Sequence, residues 1–265
     1  MEDKSKIKVP VMADLAAKGQ KPEYLYWVGC AGAFDDRYKK VTRAFVKILS
    51  HFNISYAVLG TEETCTGDPA RRAGNEMLFQ MQALTNIETF KKYDVKKIIT
   101  TCPHCFNILK NEYPDLGGVY EVVHYTQFLQ QLINSGIIKI NENIFSGKTI
   151  TFHDPCYLGR GNCEYNAPRE VLKAVSVHNK EMKRNKSFAL CCGAGGAQMF
   201  KEAEKGEKEI FIERTEEALE TGADIIATAC PFCMTMLTDG LKYKNKEEEV
   251  KNLDVAELIA EALGL

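Results

Sequence analysis

Apolar residues along this chain switch repeatedly between two periods. In residues 24–28, Tyr-Leu-Tyr-Trp-Val, they run without a break and stop at Gly29-Cys30. In residues 36–52 they recur as Val41, Phe45, Ile48, Leu49 and Phe52, the spacing of one helical face. Strand-like runs at 55–59, 97–101 and 119–123 then alternate with helical patterns at 71–93, from Pro103, and at 125–135. Within 71–93 the stripe Met77, Leu78, Met81, Leu84, Ile87 and Phe90 is expected to face the core. Alternation of strand and helix predicts a parallel sheet covered by helices.

The second half repeats the plan. Strands are expected at 148–153, near 187–190 and at 224–228. Helices are expected at about 208–221, closed by Gly222, from Pro231 onward, and at 255–263, capped by Asp254. The Lys-Glu-rich stretch 242–251 reads as a solvated helix face. The stretch 134–147, with Gly136, Asn141, Asn143 and Gly147, reads as a link. It divides the chain into a first cysteine-rich domain, 1–140, and a second, 141–265. The fold expected is therefore α/β, as two pseudo-symmetric βαβ halves with parallel sheets. In such sheets functional groups gather at the carboxyl ends of strands. Cys30, Cys102, Cys156, Cys191 and Cys230 each directly follow an expected strand.

Composition narrows the chemistry. The 265 residues are 45% hydrophobic, enough for a full core without disulfide staples. A net charge of −2 argues against a nucleic-acid or anionic-membrane binder. No apolar run approaches the roughly 18 residues of a spanning helix. The start, Met1-Glu2-Asp3-Lys4, lacks the apolar core of a signal peptide. The expected location is the cytoplasm, where thiols stay reduced and spaced cysteines read as metal or redox ligands.

Nine of the ten cysteines form one pattern written twice. The first copy is Cys30, Cys65, Cys102 and Cys105; the second is Cys156, Cys191, Cys192, Cys230 and Cys233. Two thiolates about 4 Å apart repel by roughly 4 kcal/mol at an effective dielectric near 20. A bound metal, worth about 10–16 kcal/mol of apparent binding energy, outweighs that repulsion. The pairs Cys102-Pro103-His104-Cys105 and Cys230-Pro231-Phe232-Cys233 sit at strand-to-helix turns. Proline fits the first helical turn, and the free N–H groups there favour thiolate and sulfide. A thioredoxin-type dithiol uses the same placement but leaves the remaining cysteines unexplained. Neighbours Cys191 and Cys192 are too close for a relaxed disulfide, and can instead hold different irons of one cluster. The glycines of Gly193-Ala194-Gly195-Gly196 let the backbone approach and aim N–H groups at sulfur; the run matches no phosphate-loop pattern.

The pattern Cys, Cys-Cys-Gly, Cys-Pro-x-Cys resembles the duplicated cysteine-rich ("CCG") domain family. That family includes a subunit of heterodisulfide reductase and the iron–sulfur subunits of glycolate oxidase and anaerobic glycerol-3-phosphate dehydrogenase. The segments Thr-Cys-Thr-Gly-Asp-Pro-Ala-Arg-Arg around Cys65 and His-Asp-Pro-Cys-Tyr-Leu-Gly-Arg around Cys156 look like its (Fe–S)-binding oxidoreductase branch. The resemblance implies a non-cubane 4Fe–4S cluster on the full five-cysteine set. In the first copy Thr64 is read as standing in for the first member of the pair, leaving four thiolates for a cubane 4Fe–4S cluster or a structural zinc.

The expected function is an iron–sulfur electron-transfer subunit of an oxidoreductase complex, similar to heterodisulfide reductase. Cys191 and Cys192 would carry the more reactive centre, and the first site would relay electrons. No flavin or nicotinamide fingerprint and no ferredoxin-type cysteine clustering occurs. The expected partner therefore carries ferredoxin-type clusters, a flavin or a membrane anchor, and could bring the chain to a membrane. A mixed protein with zinc in the first half, a zinc-stabilised scaffold and a dithiol oxidoreductase stay open as alternatives. Cys163 falls outside the repeat. His104 and His153 are read either as tuning a site or as ordinary surface or hydrogen-bonded histidines. Arg71, Arg72 and Arg160 are read as anion-binding or as pairing locally, Arg71 and Arg72 with Glu62, Glu63 and Asp68.

Overall fold

The computed structural model describes residues 8–140, 144–176, 178–202 and 206–265. The expected link overlaps residues 141–143, and Met1 to Lys4 lie at the start; all of these fall outside the described residues. Among the described residues, seven strands form two parallel sheets. The first contains β1 (Tyr24–Trp27), β2 (Tyr56–Ala57), β3 (Lys97–Thr100) and β4 (Glu121–His124), in the order β2-β1-β3-β4. The second contains β5 (Ile150–Phe152), β6 (Ile225–Thr228) and β7 (Lys251–Asp254), in sequence order. Central strands such as β6, Ile-Ile-Ala-Thr, are buried throughout, as parallel strands covered on both faces must be. The α/β class and the two related parallel sheets agree with the sequence reading.

Four helices lie between the sheets: Tyr38–His51 and Tyr125–Asn134 from the first half, Asn166–Val175 and Val255–Ala262 from the second. Their apolar faces merge with Tyr26 and Ile99 of one sheet and with Ile150, Phe152 and Ile225 of the other into a single core. Polar ties cross the same boundary. Arg37 grips both carboxylate oxygens of Glu257 at 2.7 Å, and the Tyr125 hydroxyl donates to Asp254 at 2.6 Å. His124 and Asp254 hold matching places: each ends the last strand of its sheet and caps the following helix.

Several expectations need correction. The run 187–190 is not a strand. Lys186–Phe188 is a single 3-10 turn and Phe188 is 82% exposed, so Cys191 does not follow a strand. An isolated bridge between Ile150 and Asn179 takes the neighbouring place on β5 that β2 takes on β1. The helix expected over 71–93 is two helices, Asp68–Arg72 and Glu76–Lys92, separated at Gly74-Asn75. Its stripe is only partly core. Phe79, Ala83, Ile87 and Phe90 are buried, whereas Met77 (74% exposed), Leu78, Met81 and Leu84 face outward. The stretch 242–251 is mostly turn: the Pro231–Tyr243 helix ends inside it and β7 begins at Lys251. The short Gly29–Phe34 helix, the Asn166–Val175 helix and β7 are absent from the sequence reading.

Candidate metal centres

Each Cys-Pro-x-Cys turn leaves a strand and opens a helix with proline in its first turn. Cys102 follows β3 and caps Pro103–Asn107; Cys230 follows β6 and caps Pro231–Tyr243. Cys30 lies in the Gly29–Phe34 helix after β1, and Cys156 lies past the end of β5. Parallel strands in one sheet end on one edge, so these sulfurs converge. Cys65 and Cys191 come from loops that fold back over the same edges.

In the first half Cys30, Cys65, Cys102 and Cys105 line one cavity together with Gly29, Thr66, His104 and Phe232. Gly29 lies close to the Cys105 sulfur and has φ +76°, a backbone conformation that favours glycine. Glu63 secures that backbone by accepting from the Gly29 and Val28 amides at 2.6 and 3.1 Å. Burial pushes the Glu63 carboxyl up to about 7 despite those bonds. In the second half the five sulfurs form a chain of neighbours from Cys156 through Cys191, Cys192 and Cys233 to Cys230. The Cys233 and Cys192 sulfurs are 3.4 Å apart. All ten cysteines are free thiols.

The protonation pattern suits a cationic guest. In the first set Cys65 lowers the Cys30 thiol, but Cys65 itself is raised by Cys30, Cys102 by burial, and Cys105 by Cys102. In the second, Cys156 and Cys192 lower Cys191, and they are raised in return; Cys233 is raised by Cys192 and Cys230. One or two thiolates per set are stabilised at the expense of their neighbours. A full set of thiolates therefore needs positive charge among them.

A shared local geometry aligns the two halves. The Gly67 amide donates to Cys65 Sγ at 3.4 Å, and the Gly193 amide donates to Cys191 Sγ at 3.3 Å. Both glycines have positive φ, +91° and +94°. Cys65 thus corresponds to Cys191. Thr66, whose hydroxyl lies 3.8 Å from Cys105 Sγ, corresponds to Cys192, which contacts Cys233 Sγ. This corrects the sequence reading: the missing thiol of the first set is at Thr66. Thr64 turns away and donates to Asn86 at 2.8 Å.

Two histidines complete the surroundings. His104 is 5% exposed rather than on the surface. Its Nδ1 lies 2.9 Å from Asp68 Oδ2, and its ring adjoins the Cys230 sulfur of the other half. Burial opposes charge on this ring, but Asp68 and Cys230 raise it to about 10. Burial likewise pushes the Cys230 thiol up, yet Cys233 and His104 hold it at about 5. A ring nitrogen of His153 lies within 4.8 Å of the Cys192 and Cys233 sulfurs. Its Nδ1 accepts from the buried Arg214 at 2.9 Å. An arginine only donates, so that nitrogen offers its lone pair to Arg214. Neither histidine's placement was legible beforehand, because burial of a polar ring leaves no mark on periodicity.

The arginines pair locally, with partners other than Glu62 and Glu63. Arg71 bonds Glu112 at 2.5 Å and Glu76 at 3.4 Å; Arg72 bonds Asp68 at 3.1 Å and also Glu112. Arg160 donates to the Ala189 carbonyl at 2.5 Å, tying down the approach to Cys191. Cys163 is exposed and belongs to neither set.

The chain is 46% identical to the probable iron-sulfur-binding oxidoreductase FadF of Bacillus subtilis, over 96% of this chain and 36% of that protein. It is 46% identical to EtfAB:quinone oxidoreductase of Syntrophomonas wolfei, over 94% and 35%. It is 38% identical to a subunit of the dihydromethanophenazine:CoB–CoM heterodisulfide reductase of Methanosarcina barkeri, over 92% and 60%. The chain therefore spans between about a third and 60% of the length of these relatives. Among the described residues, no helix is long and apolar enough to cross a membrane. The family profile described as "Cysteine-rich domain" matches residues 24–110 and again 150–238, and the chain belongs to this CCG cysteine-rich domain family.

Proposed function

We propose that the chain is an iron–sulfur electron-transfer unit of an oxidoreductase, with one centre in each half. Cys156, Cys191, Cys192, Cys230 and Cys233 hold a non-cubane 4Fe–4S cluster, the more reactive centre. Cys30, Cys65, Cys102 and Cys105 hold a four-thiolate 4Fe–4S cluster that relays electrons. Such clusters, when bound, supply one-electron storage at a potential set by charge, hydrogen bonds and exposure. The chain's own part is to converge the thiols, shield them and aim N–H groups from Gly67, Gly193 and the proline-opened helices at sulfur.

The observation that carries this reading is the five-membered contact chain of sulfurs in the second half, whose ionisation is mutually opposed. A dithiol enzyme needs two sulfurs and a structural zinc four. Five converging thiols exceed both. The iron–sulfur and oxidoreductase wording of the relatives' names supports the same chemistry. Electrons then come from or go to a partner carrying ferredoxin-type clusters, a flavin or a membrane anchor.

Metal and sulfide analysis of anaerobically purified protein tests the proposal. Two clusters give about eight irons and matching acid-labile sulfide per chain. Half that iron with one zinc would keep the second centre and reassign the first to zinc. Absence of both metals from folded protein would overturn the reading in favour of dithiol chemistry.

A further inference from the structure

The two cysteine sets meet at the middle residues of their Cys-Pro-x-Cys turns. His104 lies between Cys102 and Cys105; Phe232 holds the matching place between Cys230 and Cys233. Their rings pack edge to face with centroids 4.6 Å apart. Tyr157, next to Cys156, stacks on His104 at 4.3 Å. The Gly195 backbone closes over the ring, where a Cβ would lie 3.9 Å from Cε1. Asp68 fixes the ring from the first half through Nδ1, and the Cys230 sulfur adjoins it from the second. His104 thus joins the sets by a short covalent path on one side and a direct side-chain contact on the other.

Electrons tunnel more readily along bonds and hydrogen bonds than across gaps. We propose that His104 is the bridge by which an electron passes between the two centres, an inference that rests on the iron–sulfur reading above. With both centres bound, one electron would leave the Cys30, Cys65, Cys102 and Cys105 set and arrive at the Cys156, Cys191, Cys192, Cys230 and Cys233 set, so the charge balances. No covalent bond would form or break, and the ring would keep its protons on its own nitrogens. Phe232 packs against the bridge but offers no hydrogen bond, so its part is to exclude water. Asp68 meets the ring from the first half, and the Cys230 sulfur adjoins it from the second. His104 is a positioning residue rather than a catalytic one.

The experiment mixes anaerobically purified, cluster-loaded protein rapidly with substoichiometric dithionite. Freeze-quenched EPR then follows the electron as it redistributes between the two centres. Loss of iron from the wild type would defeat the functional reading before the bridge is tested, which separates the two failures. H104F fills the same space as Phe232 without hydrogen bonds. It is expected to slow redistribution by about tenfold or more at wild-type iron content, the scale on which groups around metal ligands act. H104Q, which keeps an N–H donor, should recover much of the rate, and F232L should slow it far less. Wild-type redistribution in loaded H104F, or an equal slowing in F232L, would overturn the bridge. If H104F loads poorly, D68A decides: it leaves the ring but removes the carboxylate that anchors Nδ1, so slower exchange supports the proposal and an unchanged rate refutes it.

Discussion

The two cysteine sets occupy matching positions past the ends of matching strands and in the loops that return over them, yet differ at one residue and in what surrounds them. Thr66 stands where the second half has Cys192. The first set receives a threonine hydroxyl and a glycine amide. The second receives a glycine amide; His104, backed by Asp68, borders both sets, and His153, backed by Arg214, lies beside Cys192 and Cys233 of the second. N–H groups and positive charge near sulfur stabilise the reduced form of an iron–sulfur centre and raise its potential. The difference teaches that one scaffold, duplicated, can surround two thiol sets differently by changing one residue and the hydrogen-bond donors near sulfur; on the proposed reading, that difference would set one centre as electron donor and the other as acceptor.

Removing the extra thiol has the largest expected effect. C192S should abolish or convert the second centre and cut iron by up to about half, toward four irons per chain, while leaving the first centre's spectrum intact. Iron analysis and EPR on the same sample check this. Unchanged spectra would remove Cys192 from the ligand set and with it the contrast between halves. The reciprocal change sharpens the contrast. T66C supplies the first set with a fifth thiol opposite Cys105, and should shift that centre's EPR and Mössbauer signature toward the second centre's. T64C, facing Asn86, should not. Equal effects from both would show that the Gly67–Gly193 correspondence does not govern ligand choice.

Much of this was legible in the sequence, for physical reasons. Strand-to-helix turns with proline at the first helical position need only local chemistry, so Cys102 and Cys230 could be located without a structure. The strand misread at 187–190 shows the limit. Phe188, Ala189 and Leu190 are apolar, but a strand also needs an edge to pair with, and this segment forms none. The Glu76–Lys92 helix is apolar on more than one face, so periodicity alone could not choose between Phe79-Ala83-Phe90 and Met77-Met81-Leu84. Thr64 and Thr66 flank Cys65 alike, and the sequence reading took Thr64. The glycine that follows Thr66, like the one that follows Cys192, already favours Thr66 over Thr64, and the hydrogen bonds to sulfur agree.

The second half also depends on a close helix contact at a place where the first half's corresponding helix has already ended. The Pro231–Tyr243 helix lies against Ile210–Leu219 at Gly240, where a Cβ would sit 2.0 Å from Thr215 Oγ1. In the first half the corresponding helix stops at Asn107 and passes into a π turn, Ile108–Glu112. G240A must push the two helices apart, at a cost of about 1–3 kcal/mol. Thermal melting should show the loss, and iron should leave the second centre before the first. Equal loss from both centres would mean that the halves unfold as one unit through their shared core.

The smallest effect separates the two halves by pH. His124 and Asp254 occupy the same place but titrate in opposite senses. Burial holds the His124 ring down to about 3, so its contribution to stability is present above about pH 6.5 and is lost as pH falls below that. Burial raises Asp254 to about 8, with Tyr125, Tyr38 and Arg37 around it. A carboxyl that binds its proton more tightly when folded favours folding at low pH, and that contribution is lost as pH rises through about 8. Above about pH 6.5 the histidine is silent and Asp254 still titrates. Glu63 adds a slope of the same sign near 7, so the informative quantity is variant against wild type. Asparagine caps a helix as well as aspartate and can still accept from Tyr125 and Ala256. D254N should therefore gain about 2 kcal/mol relative to the wild type between about pH 6.5 and 8. Parallel melting curves for the two proteins across that range would show that Asp254 keeps its charge in the folded chain, and that the opposed titration of these two caps is not real.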